Sequence, residues 1–114
     1  MNRNRRKRLT RVVGSLESLS DELPRQKIET TLSESQTEVE VIADEEQGAL
    51  DAMPENLAFS QRADDMNDNV SDLYDASSDL ESALSEYKDE HKEYGEVSSD
   101  VSSAINSIQS AINR

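Results

Sequence analysis

Residues 70–90, VSDLYDASSDLESALSEYKDE, repeat a pattern with a period of seven residues. In the first repeat a serine precedes an acidic residue and a large apolar residue, namely Ser71, Asp72 and Leu73. A seven-residue period of this kind is typical of a helix that packs one edge against other helices. The repeat therefore predicts a long α-helix that is apolar along one edge and acidic along the opposite edge.

The same spacing of three and four continues over sixteen positions from Phe59 to Ile112, and all of them except Ser77, His91 and Ser98 are apolar. We expect them to form a helix-seam interface that packs against another helical protein or against a second copy of the chain. The predicted interface residues are Met66, Val70, Leu73, Leu80, Leu84, Tyr87, His91, Tyr94, Val101, Ile105, Ile108 and Ile112. Gly95 is compatible with one continuous helix over residues 59–114, at a cost of about 1 kcal/mol relative to Ala, and also with a break at that position.

The edge opposite the seam is almost entirely acidic. Ten of its eleven outward positions between residues 65 and 100 carry a carboxylate. The predicted acidic face consists of Asp65, Asp68, Asp72, Asp75, Asp79, Glu86, Asp89, Glu93, Glu96 and Asp100. Two interpretations stay open. The carboxylates either keep the helix solvated, or mimic a phosphate backbone and occupy the basic groove of a nucleic-acid-binding protein.

Residues 9–53 show helical spacing in two shorter segments, which Pro24 interrupts and Pro54 ends. Proline removes a backbone donor and clashes with the preceding turn, so each proline marks a helix boundary. The apolar face of the second segment contains Ile28, Leu32, Ser35, Val39, Ile42 and Glu46. Residues 54–58 are then the turn that leads into the long helix. Residues 37–43 alternate polar and apolar side chains and are also compatible with a short strand.

The composition excludes several classes of site. Apolar residues make up 33% of the 114 residues and charged residues 32%, with a net charge of −13, which favours a solvated helical array over a chain with a large core. The chain contains no cysteine, one histidine and three separate glycines. We therefore expect no cofactor, no metal site and no enzymatic activity. No stretch approaches the roughly 18 apolar residues of a membrane span, so we expect a cytoplasmic protein without a membrane partner.

Half of the twelve basic residues lie among the first eleven residues, where no acidic residue occurs. They are Arg3, Arg5, Arg6, Lys7, Arg8 and Arg11. We expect residues 1–8 to form a flexible basic arm that solubilises the chain or docks on an acidic flank of its own oligomer. Direct nucleic-acid binding is disfavoured, because the arm has no interleaved aromatic residues and the acidic remainder of the chain repels phosphate.

Residues 44–84, DEEQGALDAMPENLAFSQRADDMNDNVSDLYDASSDLESAL, combine an acid-acid-Gln motif, an Asp-x-hydrophobic-Pro-Glu motif, a Ser-x-Arg motif and an acidic helical repeat. The residues that carry these motifs are Glu45, Glu46, Gln47, Asp51, Met53, Pro54, Glu55, Ser60, Arg62 and Met66. In this combination, and in the basic start at residues 5–9, the chain resembles a group of small acidic helical proteins of Gram-positive bacteria and their phages. The resemblance implies a helical architecture and a phage or mobile-element origin, and it implies no activity. The chain departs from the group at residues 24–39, where the resemblance implies a continuous helix.

Together these features predict an all-α protein, a helical hairpin or bundle with a long C-terminal heptad-repeat helix. Its predicted function is that of a non-enzymatic interaction module, encoded by a phage or mobile element and located in the host cytoplasm, that self-associates or binds a helical partner through the seam. The alternative function is that of an acidic nucleic-acid mimic, which inhibits a DNA- or RNA-binding defence protein of the host.

Overall fold

The computed structural model describes residues 1–114 as four α-helices without any strand. The helices are α1 (Arg3–Glu17), α2 (Arg25–Asp51), α3 (Gln61–Tyr87) and α4 (Tyr94–Asn113), and a 3₁₀ turn (Glu55–Leu57) lies between α2 and α3. The prediction of an all-α bundle is confirmed. Residues 37–43 are helical and belong to α2 rather than to a strand.

The helices form an antiparallel bundle in which each helix packs against the next and α1 also packs against α4. Glu46 near the end of α2 contacts both Arg5 near the start of α1 and Asn69 near the start of α3. Neighbouring helices therefore run in opposite directions, which is the up-down-up-down topology of four-helix bundles. The bundle is a rod of 53 × 20 × 17 Å.

Most of the predicted interface residues lie in the core of this bundle. Met66, Val70, Leu73, Leu80, Tyr87, Tyr94, Val101 and Ile108 are buried, while Leu84, Ile105 and Ile112 are partly buried against the core. Burial of a large apolar side chain contributes roughly 1.5–3 kcal/mol, and here the same chain supplies the covering surface. The seam thus holds a single chain together, and the structure does not contain the long heptad helix predicted for association.

The predicted helix over residues 59–114 is divided by a connection at residues 88–93. All six residues of this connection are charged or polar, so the apolar edge is interrupted there and the chain reverses direction. The two halves of the seam consequently pack against each other as α3 and α4. Gly95 lies in the first turn of α4 and does not mark the break. His91, predicted in the seam, lies in the connection and is exposed to solvent.

Arg25, the first residue of α2, holds the connection at residues 88–93 in place. Its guanidinium donates hydrogen bonds to the carbonyl oxygens of Lys92 at 2.7 Å and Asp89 at 2.6 Å, and also to the carbonyl oxygen of Tyr87. The guanidinium carbon lies 4.0 Å from the centroid of the Tyr87 ring, a cation–π contact. The carbonyl group of Tyr87 at the end of α3, which has no partner within the helix, thereby obtains a donor, and so do two carbonyl groups of the connection.

The connection at residues 18–24 lies at the same end of the bundle, which we call the two-loop pole. The side chain of Asp21 accepts a hydrogen bond from the backbone N–H of Tyr94 at 2.7 Å. Glu93 and Glu96 form a capping box at the same helix start, with the Glu93 N–H donating to the Glu96 carboxylate at 2.9 Å. These contacts explain why α4 begins at Tyr94.

The predicted flexible arm at residues 1–8 is largely helical, because α1 begins at Arg3. Asn2 caps the helix by accepting a hydrogen bond from the Arg5 N–H at 2.8 Å. A basic first turn in α1 and an acidic last part of α2 each oppose the dipole of their own helix. Antiparallel packing places the two charged segments side by side, where each compensates the other.

The connection at residues 52–60 is longer than the predicted turn at residues 54–58. The Ser60 side chain accepts a hydrogen bond from the Ala63 N–H at 3.2 Å and so caps α3. Phe59, the first residue of the predicted long helix, therefore precedes α3, and it is 96% exposed.

Candidate functional site

The end of the bundle opposite the two-loop pole concentrates arginine side chains, and we call it the arginine pole. It is formed by the start of α1, the connection at residues 52–60, the start of α3 and the residue that follows α4. Arg5, Arg6, Arg62 and Arg114 border two adjoining clefts there. Four arginines thus gather at one end of a molecule whose net charge is −13.

The arginine pole is built around a buried carboxylate. Glu46 of α2 is completely buried, and its Oε1 accepts a hydrogen bond from Nε of Arg5 at 3.2 Å. Its Oε2 accepts one from the side-chain amide of Asn69 at 2.9 Å and lies 3.4 Å from the amino nitrogen of Met1. Two cationic groups and one amide thus satisfy a charge whose burial is otherwise costly.

Asn69 extends this network towards α4. Its amide oxygen accepts a hydrogen bond from Nη1 of Arg114 at 3.0 Å, and Nη2 of Arg114 lies 2.8 Å from a carboxylate oxygen of Asp72. The guanidinium of Arg114 is therefore held in a defined orientation at the edge of the pole. The network as a whole connects all four helices.

Arg8 makes a second set of ion pairs between α1 and α2. Its Nη1 lies 2.8 Å from Glu45 and its Nη2 lies 2.5 Å from Glu38. Hydrogen bonding to Glu45, and then to Glu38, raises the pKa of Arg8, and the hydrogen bond from Arg8 lowers the pKa of Glu45. Within the predicted basic arm, Arg5 and Arg8 thus face α2. The exposed members are Arg3, Arg6, Lys7 and Arg11.

Two clefts open at the arginine pole. The first, which we call the basic cleft, has a volume of about 330 Å³. It is bordered by Arg6, Arg62 and Arg114, with Asp65 as its one acidic residue. The second, which we call the apolar cleft, has a volume of about 260 Å³. Its apolar lining consists of Met1, Ala49, Ala52, Met53, Pro54, Leu57 and Met66. The two clefts share Met1, Arg62 and Met66, so a basic surface continues directly into an apolar one.

Few large apolar side chains remain in contact with solvent. Phe59 is 96% exposed and Leu57 is 41% exposed, and both belong to the connection at the arginine pole. Val41 and Tyr74 are exposed to a similar extent as Leu57 but lie on α2 and α3. The hydroxyl of Tyr74 donates to the carboxylate of Asp44, and this hydrogen bond raises the pKa of the phenol.

The predicted acidic face is not a single row in the structure. Its members are divided between α3, the connection at residues 88–93 and α4. Exposed members are Asp68, Asp75, Glu86, Asp89, Glu93 and Glu96, and half-buried members are Asp65, Asp72, Asp79 and Asp100. The hypothesis of a nucleic-acid mimic assumes one straight line of carboxylates, so this division gives it no support, and it stays a prediction.

Sequence reasoning did not identify the basic cleft. Arg62 and Arg114 are isolated in sequence, and only the reversal between α3 and α4 brings them beside Arg6. One signal points to the network beneath the cleft: Glu46 occupies a position on the apolar face of the second segment. An acidic residue at a core position requires a cationic or amide partner from another element.

No protein-family model, curated protein or solved structure matches this chain. None of the four helices has the length and apolar character that crossing a membrane requires. No three histidine, aspartate or glutamate side chains come together in a group that could hold a metal ion.

Proposed function

We propose that this chain is a non-enzymatic binding module whose bundle presents the arginine pole to a partner protein. The observation that carries this proposal is the position of Phe59. The bundle buries its seam, and yet it leaves this phenylalanine 96% exposed next to the partly exposed Leu57. Covering a phenylalanine side chain contributes roughly 1.5–3 kcal/mol, which association with a partner supplies.

The surroundings of Phe59 suit a protein partner. The segment lies between Pro54, which precedes the 3₁₀ turn, and Ser60, which caps α3. Its backbone is therefore tied down at both ends, which lowers the entropy lost when a partner binds. Aromatic and arginine side chains are the residue types that dominate binding energy at protein interfaces, and Arg62 follows closely in sequence.

The partner is a different protein or a second copy of this chain. A phage or mobile-element origin, suggested by the resemblance of residues 44–84, places the partner in the host cell or among proteins encoded with this chain. In either case the contact with the partner lies at the arginine pole rather than along the seam.

The test is site-specific photo-crosslinking. A photoreactive benzoylphenylalanine is placed at Phe59 and, as the matched control, at Gln109, which is exposed on α4. We expect a discrete crosslinked product from position 59 and none from position 109, either in the purified protein or in a host lysate. A photoreactive residue at Asn56, in a chain that keeps Phe59, should also give a product, and that product should be lost in a Phe59→Ser background. Equal products from positions 59 and 109, or none from position 59, contradict the proposal.

A further inference from the structure

The basic cleft is unusual because of the charge balance of the chain. Acidic residues outnumber basic residues by 25 to 12, and yet three arginines border one cleft with a single acidic residue. Neither Arg6 nor Arg62 forms an ion pair within the chain, since the ion pairs of the structure involve only Met1, Arg5, Arg8 and Arg114 among the cationic groups. Two guanidinium groups are thus available to an anion from outside.

The third arginine of the cleft is positioned in advance. Arg114 is held by Asn69 and Asp72, and Asn69 is in turn held by the buried Glu46. A guanidinium whose orientation is fixed loses little entropy when it binds an anion. Arginine also presents paired N–H groups that match the two oxygens of a carboxylate.

The apolar cleft decides what kind of anion fits. It shares Met1, Arg62 and Met66 with the basic cleft, so its ligand carries an apolar group directly beside its negative charge. No aromatic residue lines either cleft, whereas proteins that bind single-stranded nucleic acid stack bases on aromatic side chains. Glu55, Asp64 and Asp65 lie in the segments around the clefts, where they would repel a long phosphate backbone more than a short ligand.

We propose that the joined clefts bind an acidic segment of a partner polypeptide, with an Asp or Glu carboxylate on Arg6, Arg62 and Arg114 and a neighbouring Leu-like side chain in the apolar cleft. This proposal rests on the proposed function, because it names the chemistry of the partner at the same pole. Phe59 then provides a separate apolar contact outside the clefts.

The test measures the fluorescence anisotropy of labelled peptides with blocked ends. The probe is Gly-Glu-Leu-Asp-Leu-Leu-Gly. One control replaces its two acids by Gln and Asn, and the other replaces its three leucines by serine. We expect saturable binding of the probe alone, and an affinity that falls as NaCl is raised from about 50 mM to about 300 mM. Equal binding of the probe and the amide control, or no binding up to about 1 mM peptide, overturns the proposal.

Variants of the protein locate the site. Arg6→Gln combined with Arg62→Gln should weaken probe binding about tenfold or more, because charge-assisted hydrogen bonds are lost. Lys7→Gln, which removes an exposed charge that borders neither cleft, should change affinity less than about twofold. Arg6 and Arg62 are exposed and unpaired, so circular dichroism should show an unchanged fold. An equal loss in both variants overturns the proposal.

Two further titrations distinguish a peptide ligand from a nucleic acid and from a membrane surface. A single-stranded DNA oligonucleotide and vesicles containing an anionic phospholipid are titrated against the bound probe. Displacement by either one at a lower concentration of charged groups than the unlabelled probe requires overturns the peptide assignment. Crosslinking from position 59 in a protein that keeps Arg6 and Arg62 but binds no probe rejects the cleft while leaving the proposed function in place.

Discussion

The carboxylate of Glu46 on α2 accepts a hydrogen bond from the side-chain amide of Asn69 on α3 at 2.9 Å, and both residues are buried. This contact links the ion pair between Arg5 of α1 and Glu46 of α2 to Arg114, which follows α4. A shift of either helix by one turn would separate the two groups and leave a charge without partners in the core. We infer that the network fixes the register of the bundle, a role for which buried polar groups are known in other helical assemblies.

Replacement of Glu46 by glutamine should destabilise the protein strongly. The variant keeps the shape of the side chain but removes the charge, and leaves Arg5 and the Met1 amino group beside a neutral amide. We expect a loss of about 3 kcal/mol in the free energy of unfolding, measured by urea titration. The matched control is Glu45→Gln, which removes a half-exposed ion pair with Arg8 and should cost less than about 1 kcal/mol. Similar losses in the two variants would show that the buried network contributes no more than a surface pair.

Replacement of Arg25 by methionine should loosen the two-loop pole. Methionine keeps apolar contact with the Tyr87 ring but cannot donate to the three carbonyl groups. We expect a loss of about 2 kcal/mol and faster amide hydrogen exchange at residues 88–92. Lys27→Met, on the same helix and exposed, is the control and should leave exchange in that connection unchanged. Faster exchange spread evenly over all four helices would argue against a local role for Arg25.

Replacement of the three glycines by alanine should stabilise the protein. Gly14, Gly48 and Gly95 are all helical with negative φ. A Cβ atom has nothing within 4 Å at the first two positions and an ordinary contact of 3.6 Å with Asp21 at the third. We expect each substitution to add about 0.5–1 kcal/mol, measured as an increase in the urea midpoint. A decrease for Gly95→Ala would show that the start of α4 needs the flexibility of glycine.

The free energy of unfolding should decrease at alkaline pH because the phenol of Tyr94 loses its proton. Burial, and then the negative charge of Asp21, raises the pKa of this phenol above its ordinary value. A raised pKa means that the folded state keeps its proton longer than the unfolded state. The contribution of Tyr94 is therefore complete below about pH 10 and is lost as the pH rises through the folded-state pKa.

Tyr94→Phe is the variant that checks this dependence. Its free energy of unfolding should decrease less steeply than that of the unmodified protein above about pH 10. Below that pH the two curves should run parallel. Parallel curves over the whole range would contradict a role for Tyr94 in the alkaline loss of stability.

The buried faces of the long helices could be predicted from sequence because the apolar residues of each face recur at helical spacing within a single helix. The apolar face that contains Ile28, Leu32 and Ile42 is buried as a set, and the seam residues of α3 and α4 are buried with it. The same pattern led to the wrong prediction of a helix through residues 88–93. The apolar positions of α4 follow those of α3 in the same seven-residue phase, so the spacing does not reveal the turn between the two helices.

The candidate site could not be predicted in the same way, because it depends on contacts between elements. The helix at residues 3–8 forms beside carboxylates of α2 that lie about 40 positions away in sequence. The basic cleft combines Arg6, Arg62 and Arg114, and their meeting requires all three connections. Phe59 continues the heptad spacing in sequence, but the Ser60 cap places it outside α3.

The small contact surface of α1 has a consequence for the dynamics of the chain. This helix is the shortest of the four, packs mainly against α2 and α4, and is joined to α2 by seven non-helical residues. Native proteins open first where the fewest buried contacts must be broken. We therefore expect α1 to detach as a unit before global unfolding, which would expose the stretch of core beneath Leu9 and Leu16 while α2, α3 and α4 stay folded.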